Sequence, residues 1–444
     1  MKNIFIIGAG LSASSLINYL LKYSQEYGWR VTVADMSLAT AQRKVANHPN
    51  GHAIQFDINE QKLRNSEISN ADLVISMLPG ALHPIVARDC LNYGKHMLTP
   101  SYVSPEIQSM DKEARAKGLS FLNELGVDPG IDHMSAMRVI DNIKKKSGEI
   151  LSFKSFCGGL VSPACDDNPW NYKFSWNPRN VVIAGQGVAK YKESGQNKYV
   201  AYQQLFSTLT TVSIPGYGDF EVYPNRDSLQ YCKLYGLDDI PTIIRGTMRR
   251  PGYSEAWNIF VQLGCTDDTY VMQDSHLLSN RMYLESFLPF REGISTELNL
   301  AEFFGLSIDS EIMAKVRWLG ILSDEVTGIE AATPAMIMQK ILEQKWAMNP
   351  QDRDLLVMQH QFDFVLDGQK KRIISSMSCE GEDQEHTAMA YTVGIPLAIA
   401  AKLLVTGGIN LTGVHIPTLP EIYNPILNEL DNLGIKFVEQ EIDL

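Results

Sequence analysis

The chain has 444 residues, more than a single hydrophobic core usually accommodates, so we predict two or three domains. It carries 39 lysines and arginines against 51 aspartates and glutamates, and the net charge of −12 argues against a nucleic-acid-binding surface. The six cysteines form no C-x-x-C pair and no His/Cys spacing typical of a metal site, so we expect a reduced, cytoplasmic protein without a metal. These cysteines are Cys90, Cys157, Cys165, Cys232, Cys265 and Cys379.

Neither a secretion signal nor a membrane segment is expected. The first strand begins near Asn3, which leaves no room for a signal peptide. The apolar residues 395–405 contain Pro396 and Lys402 and are too short to span a bilayer, so we predict a buried helix there.

A glycine-rich turn is the first motif along the chain. The apolar strand 4–7 runs into Gly8-Ala9-Gly10-Leu11-Ser12-Ala13, a helix is predicted over Ser14–Lys22, and the second strand, 30–34, ends at Asp35. This order predicts a dinucleotide site in which Gly8 permits the turn, Gly10 lets the backbone approach a pyrophosphate, and Ala13 allows close helix packing. Asp35 would bind the ribose hydroxyls and repel a 2′-phosphate, which favours NAD, with NADP as the alternative.

Six short strands alternate with helical stretches, at residues 4–7, 30–34, 52–56, 71–77, 96–99 and 119–123. Such alternation predicts an α/β Rossmann domain with a doubly wound parallel sheet, whose ligands lie beyond the carboxyl ends of the strands. Met77 and Leu78 end the fourth strand, where backbone contacts to the nicotinamide are expected, with simple capping of the strand as the alternative. Asp57 follows the third strand and has two interpretations, an adenine contact or the start of a turn before Asn59.

The later chain predicts a second, mixed α/β domain with strands at 151–156 and 181–184 and helices at 298–304, 310–319 and 334–346. An apolar helix at about 389–405, ended by Gly407-Gly408, is expected to return to the first domain. We therefore predict a dinucleotide-binding domain at 1–127, completed by about 388–420, a substrate-binding and dimerisation domain at 128–273 and about 349–387, and a helical insertion at 274–348.

Several segments carry residues suited to a small acidic substrate. Asp128-Pro129-Gly130-Ile131-Asp132-His133 follows the sixth strand, and Arg226 and Arg245 lie in turn-flanked segments where a guanidinium could hold a carboxylate. The alternative for either arginine is a pair with an acid of its own domain.

Together these stretches resemble saccharopine dehydrogenases of the glutamate-forming type, also called saccharopine reductases. The resemblance spans nearly the whole chain, and its most specific parts are the D-P-G-I-D-H and Y-P-N-R-D-S segments. The segments that carry it are the glycine turn and residues 74–79, 101–105, 123–133, 157–160, 172–176, 223–228, 244–247, 390–394 and 421–430.

The resemblance implies a nicotinamide-dependent oxidoreductase of lysine metabolism that reversibly oxidises saccharopine, a tricarboxylate, to L-glutamate and α-aminoadipate semialdehyde. It also implies a homodimer, for which we expect Phe153, Phe156 and the aromatic run 170–176 to offer a surface. The NADP-linked fungal members carry a basic residue after the second strand, whereas this chain has Asp35-Met36-Ser37. By position, the substrate contacts are Ser101, Tyr102, Asp128, Phe174, Arg226, Arg245, Gly246 and Thr247.

Proton transfer is assigned to Asp128 and Tyr102, although both could orient substrate while solvent supplies protons. His133 is better explained as a packed or capping residue than as a base. Two other functions are compatible with the sequence: a related oxidoreductase, such as a carboxynorspermidine or homospermidine synthase or a lysine dehydrogenase, and a sensor that binds NAD without turnover.

Overall fold

The computed structural model describes residues 1–184 and 186–444, and these residues form two compact units. The first unit contains Met1–Glu149 and Met377–Val438, and the second contains Ile150–Ser376 and Glu439–Leu444. The strands are β1 (Lys2–Ile7), β2 (Trp29–Asp35), β3 (Gly51–Gln55), β4 (Leu73–Ser76), β5 (His96–Leu98), β6 (Ser120–Leu122), β7 (Glu149–Val161), β8 (Ala189–Glu193), β9 (Gln196–Val200), β10 (Thr210–Ile214), β11 (Gly218–Pro224), β12 (Thr242–Arg249), β13 (Asp354–Leu366), β14 (Gln369–Glu380), β15 (Gly413–His415) and β16 (Val438–Asp443).

The helices of the described residues follow the same chain order. They are α1 (Ser14–Lys22), α2 (Ser24–Tyr27), α3 (Leu38–Val45), α4 (Gln61–Asn70), α5 (His83–Tyr93), α6 (Pro105–Ser109), α7 (Asp111–Ala116), α8 (Ile131–Lys145), α9 (Pro178–Val182), α10 (Tyr202–Leu205), α11 (Gln230–Leu234), α12 (Tyr253–Leu263), α13 (Asn280–Glu285), α14 (Thr296–Phe303), α15 (Glu311–Trp318), α16 (Pro334–Lys345), α17 (Ala388–Thr406) and α18 (Pro420–Asn432).

The first unit is built on a parallel sheet with the strand order β15-β6-β5-β4-β1-β2-β3. The order reverses at β1, which pairs with β2 on one side and with β4 on the other. All six predicted strands are present, so the predicted Rossmann sheet is confirmed. The sequence analysis missed β15, which has only three residues and pairs with β6 from almost three hundred residues further along the chain.

Helix α17 returns to the first unit as predicted and packs against α1. Gly394 makes this contact possible, because a Cβ there would lie 2.7 Å from the backbone nitrogen of Leu16. By length and hydropathy alone α17 could cross a membrane, but 61% of its most apolar window is buried inside the protein. Its packing is that of a core helix, which agrees with the predicted buried helix.

The second unit is built on a mixed sheet with the order β10-β11-β12-β7-β13-β14-β16, and β8 and β9 continue from β12. Strand β12 runs parallel to β7 and antiparallel to β11. The predicted helices near 298–304, 310–319 and 334–346 correspond to α14, α15 and α16. They share one apolar core with Trp170 and Tyr172, so they are packed into the unit rather than set apart from it.

Three expectations differ from the structure. The first unit extends to Glu149 instead of residue 127, since α8 packs against α18, and it resumes at Met377 instead of about 388. Residues 181–184 are not a strand: Asn177 caps the helix α9 by accepting the Arg179 N–H, and Pro178 occupies its first turn.

The expected aromatic dimer surface is also wrong. Trp170, Tyr172, Phe153 and Phe156 are all at most 3% exposed, and Trp170 and Tyr172 lie inside the large apolar core of the second unit. These four aromatic side chains pack within the chain itself and are therefore not available to a partner.

Candidate active site

The glycine turn between β1 and α1 has the geometry of a phosphate-binding loop. Gly8 has φ +104°, and a Cβ there would lie 3.0 Å from the carbonyl oxygen of Met77. A Cβ at Gly10 would meet no atom within 4 Å, so the backbone of this residue faces open space. Ala13 is buried where the helix starts, whereas Leu11 is exposed and Ser12 half-buried. The turn therefore leaves room for a pyrophosphate beside the first amides of the helix.

Asp35 lies at the carboxyl end of β2, next to this turn. Its Oδ2 accepts the N–H of Ala9 at 2.9 Å, and its Oδ1 accepts the N–H of Ser37 at 2.9 Å. These two hydrogen bonds from backbone N–H groups hold the carboxylate at the position where a Rossmann domain binds the adenosine ribose. The donor set of this edge fits a dinucleotide.

The other predicted nucleotide residues follow the neighbouring strands. Met77 and Leu78 are half-buried after β4, and the Met77 N–H bonds to the Ile7 carbonyl at 2.8 Å. Asp57 is exposed, and its Oδ1 accepts the Asn59 N–H at 2.8 Å. This is the turn interpretation of Asp57, and the adenine contact stays a prediction.

Tyr102 and Asp128 come together at the same edge of the sheet. The Tyr102 hydroxyl donates to Oδ1 of Asp128 at 3.3 Å, and both side chains are half-buried. Tyr102 belongs to the loop after β5, and Asp128 to the loop after β6, where a cis peptide bond joins it to Pro129. The two predicted catalytic groups thus form one hydrogen-bonded pair.

A buried glutamate fixes the loop that carries Tyr102. Glu124 Oε1 accepts the N–H of Val103 at 3.0 Å, while its Oε2 lies 2.7 Å from Nε2 of His133. His133 is fully buried, which agrees with its interpretation as a packed residue. Glu124 was not singled out from the sequence because both of its partners depend on how the two loops fold together.

His83 lies beside the proposed substrate residue Ser101 and was not predicted from the sequence. It begins α5, is 2% exposed, and lies 2.8 Å through Nδ1 from Ser76 Oγ and 2.8 Å through Nε2 from Ser101 Oγ. Burial lowers the pKa of His83 to about 4, so the imidazole is neutral near pH 7. Its only sequence signal is a histidine just after the turn that follows a parallel strand.

The predicted arginines of the second unit occupy different surroundings. Arg245 on β12 is 5% exposed, and its guanidinium stacks 4.3 Å from the ring centre of Tyr231. Arg226 is exposed and has a left-handed backbone, with φ +52°. Each arginine keeps a defined backbone position, since the Arg245 N–H donates to Ser228 Oγ and the Arg226 carbonyl accepts the Lys190 N–H.

Three further predicted substrate residues lie in the second unit. Phe174 is 8% exposed and packs edge-to-face against Trp346, so it belongs to the aromatic core. Gly246 is a close-packing position, because a Cβ would lie 2.5 Å from Cγ1 of Val222. Thr247 is half-buried on the same face of β12 as Arg245.

Arg249 continues this face of β12 and was also missed. Its guanidinium lies 5.1 Å from the ring centre of Tyr172 and 5.4 Å from that of Tyr253, and the residue is 4% exposed. Nothing in the local sequence distinguishes Arg249 from a surface arginine, because the rings that surround it come from distant segments.

Comparison with known proteins identifies the family. The model of the saccharopine dehydrogenase NADP binding domain matches residues 4–122, and that of the saccharopine dehydrogenase C-terminal domain matches residues 126–435. The chain belongs to the saccharopine dehydrogenase family. The expectation drawn from the sequence motifs is thereby confirmed.

Relatives of this family match the chain from end to end. The L-glutamate-forming, NADP(+)-dependent saccharopine dehydrogenase of Schizosaccharomyces pombe is 31% identical over all of both chains. Its counterpart in Saccharomyces cerevisiae is 33% identical over 99% of both chains. The structure of the apo S. cerevisiae L-Glu-forming enzyme superposes over all of both chains with a TM-score of 0.90. These matches cover both units and therefore support the same architecture throughout.

Proposed function

We propose that this chain catalyses the reversible oxidation of saccharopine, with a nicotinamide nucleotide and water, to L-glutamate and α-aminoadipate semialdehyde. The observation that carries the proposal is the end-to-end match to L-glutamate-forming relatives, in a chain whose glycine turn and Tyr102–Asp128 pair share one sheet edge. The bound nucleotide supplies the hydride acceptor. The chain's own residues bind the nucleotide, orient the substrate and move protons.

The nucleotide is held by the first unit. Gly10 and the amides of Leu11 and Ser12 receive the pyrophosphate, because the turn is open at Gly10, while the Ala13 N–H already donates to the Gly10 carbonyl at 3.1 Å. The Asp35 carboxylate accepts hydrogen bonds from the ribose hydroxyls. Met77 and Leu78 flank the nicotinamide through their backbone atoms.

Several proton movements accompany the reaction. The Asp128 carboxylate takes one proton from the substrate nitrogen, loss of a hydride from the lysine-derived Cε leaves a protonated C=N bond, and Asp128 releases its proton to solvent. Water then adds to that carbon while Asp128 takes one of its protons and passes it to the nitrogen. The hydroxyl of the adduct loses its proton to Asp128 as the C–N bond breaks and L-glutamate departs. Tyr102 donates to Asp128 at 3.3 Å and so holds the carboxylate in place.

The substrate has three carboxylates, and the second unit provides cations for two of them. Arg245 is buried with its guanidinium 4.3 Å from the ring centre of Tyr231, and it binds one carboxylate. Arg226 is accessible on a proline-flanked turn and binds a second carboxylate. Ser101 of the first unit and Thr247 of the second supply hydroxyl donors, and Phe174 and Gly246 stay predicted substrate contacts on the family resemblance.

The preferred nucleotide is NAD, and NADP is the alternative. Support for NAD is the Asp35 carboxylate, whose two backbone bonds fix a negative charge where a 2′-phosphate would lie. Support for NADP is the name of the matching domain model and those of the fungal relatives. The homodimer and the cytoplasmic location also remain proposals, the dimer resting on the family resemblance alone.

A matrix of substrates and nucleotides tests the function. Purified protein is mixed with saccharopine, lysine or homospermidine and with NAD or NADP, and absorbance of the reduced nicotinamide is followed. Of the three substrates, we expect only saccharopine to be turned over, and we expect its turnover to be faster with NAD than with NADP. Turnover of lysine or homospermidine without saccharopine would establish a different oxidoreductase, and nucleotide binding without turnover would establish a sensor.

A further inference from the structure

A buried imidazole lies directly behind one of the proposed substrate residues. His83 is 2% exposed and its ring contacts three hydroxyl groups from the ends of two strands: Ser76 at the end of β4, and Thr99 and Ser101 after β5. Ser76 Oγ lies 2.8 Å from Nδ1, while Ser101 Oγ and Thr99 Oγ1 lie 2.8 and 3.3 Å from Nε2. The ring therefore links the interior of the sheet to a half-buried hydroxyl at its carboxyl edge.

The charge state of this ring follows from its surroundings. Three hydroxyl groups contact the ring, and the ring lies at the N-terminus of α5, where the helix dipole disfavours a cation. Burial holds the pKa of His83 at about 4, so near pH 7 one ring nitrogen donates and the other accepts. The direction of the chain of hydrogen bonds is then set by which nitrogen carries the proton.

We infer that His83 is a positioning residue whose Nε2–H donates to Ser101 Oγ and thereby directs the Ser101 proton towards a substrate carboxylate. In this arrangement the Ser76 hydroxyl donates to Nδ1 and fixes the tautomer. If Nε2 accepted instead, the Ser101 proton would point inward and its oxygen lone pairs would face the carboxylate, which repels them. The inference rests on the proposed function, since it assigns the Ser101 hydroxyl to saccharopine.

Two amide substitutions separate the nitrogens of His83. The amide of glutamine reaches about as far as Nε2, whereas that of asparagine reaches about as far as Nδ1. We expect His83→Gln to retain the wild-type KM for saccharopine within about threefold, because its amide still donates to Ser101. His83→Asn should raise that KM about tenfold, the usual effect of losing one hydrogen bond to a charged group, with nucleotide affinity unchanged.

Ser101→Ala provides the test of the connection. If His83 acts through Ser101, adding His83→Asn to Ser101→Ala raises the KM no further. His96→Asn is the matched control, because His96 lies at the opposite end of β5, where its Nδ1 accepts the Ser120 N–H. Ser76→Ala keeps the imidazole while removing the hydroxyl that fixes its tautomer, so it should raise the KM about threefold even if His83→Asn does not fold.

The outcomes separate the two proposals. Absence of saccharopine turnover by the wild-type protein would overturn the proposed function. If the wild-type protein turns over saccharopine normally, three results would each overturn the role of His83. The first is additive effects of His83→Asn and Ser101→Ala on the KM for saccharopine. The others are an equal rise of that KM in His83→Asn and His83→Gln, and a change in nucleotide affinity. An unchanged KM in Ser76→Ala would overturn the assignment of the tautomer.

Discussion

The two units place different chemical groups at their proposed ligand sites. The first unit uses backbone geometry: a glycine with φ +104°, amides at the start of α1, and a carboxylate held by two N–H groups. The second unit uses long cationic side chains, and its buried arginines lie against aromatic rings, Arg245 on Tyr231 and Arg249 among tyrosines. The rings lower the cost of removing a guanidinium from water, because they offer a favourable face to its charge.

This contrast assigns different chemistry to each unit. A nucleotide brings phosphates and hydroxyls that suit amides and a carboxylate, whereas saccharopine brings three carboxylates that need cations. Substitutions in the first unit should therefore change nucleotide binding, and those at the arginines should change the KM for saccharopine. Each prediction below tests whether the two effects stay separate.

The largest expected effect is that of Arg226→Ala. Removing a charge-assisted pair that the bound substrate covers costs about 2 to 5 kcal/mol, which should appear as a raised KM for saccharopine. Arg226→Lys should recover only part, since an ammonium cannot reproduce a bidentate guanidinium. Arg226 is a better target than Arg245, because Arg226 is exposed and its removal leaves no cavity over Tyr231.

Steady-state kinetics and nucleotide titration check this prediction together. Nucleotide affinity should be preserved in both variants. Loss of nucleotide binding or of folding, with a normal KM for saccharopine, would show that Arg226 is structural.

Asp35→Arg should move the nucleotide preference towards NADP. The Asp35 carboxylate repels the 2′-phosphate of NADP, whereas an arginine at this position would form an ion pair with it. A hydrogen bond to a charged group is worth about 1.5 to 3 kcal/mol. The ratio of kcat/KM for NAD to that for NADP should fall by about tenfold or more. Asp35→Asn is the control of similar shape and should shift the ratio less, while a wild-type protein that prefers NADP tenfold would contradict the role of Asp35.

The two glycines of the turn should respond differently to a methyl group. Gly8→Ala places an L side chain at φ +104° and within 3.0 Å of the Met77 carbonyl, so it should cost about 1 to 3 kcal/mol of folding stability and weaken nucleotide binding. Gly10→Ala meets no protein atom, so it should weaken nucleotide binding without lowering Tm. Thermal denaturation and nucleotide titration distinguish the two, and a destabilised Gly10→Ala would show that its open side is not reserved for a ligand.

The smallest effect is a pH dependence of stability. The pKa of His83 is lowered to about 4, against about 6.5 in the unfolded chain, so between these values the unfolded state binds more protons. Stability therefore falls as the pH drops from about 6.5 to 4 and is independent of His83 above that window. At about pH 5.8, His83→Gln should be spared about 1 kcal/mol of this loss in urea denaturation, and parallel pH curves would contradict a buried neutral imidazole.

The sequence predicted what depends on neighbouring residues. Helix α1 has the predicted bounds Ser14–Lys22, and the glycine turn and Asp35 lie where their spacing placed them. The strand predicted at residues 181–184 was wrong because a run of four apolar residues is compatible with a strand or a helix. The Asn177 cap favours the helix here. The expected dimer surface was wrong because an aromatic run has the same composition whether it is buried in the chain's own core or exposed to a partner.

The missed residues depend on long-range contacts. His83 contacts Ser76, Thr99 and Ser101, which the ends of two neighbouring strands bring to one point. The guanidinium of Arg249 lies against the rings of Tyr172 and Tyr253, which come from distant segments of the chain. Neither set has a fixed spacing, so no local pattern could have found them.

The products of the reaction test the central claim most directly. Wild-type protein is incubated with saccharopine and excess NAD, and reduced nicotinamide, L-glutamate and lysine are measured in the same sample. We predict one L-glutamate for each nicotinamide reduced, with no lysine. Lysine and 2-oxoglutarate in place of L-glutamate, or no reduction with either NAD or NADP, would contradict the account.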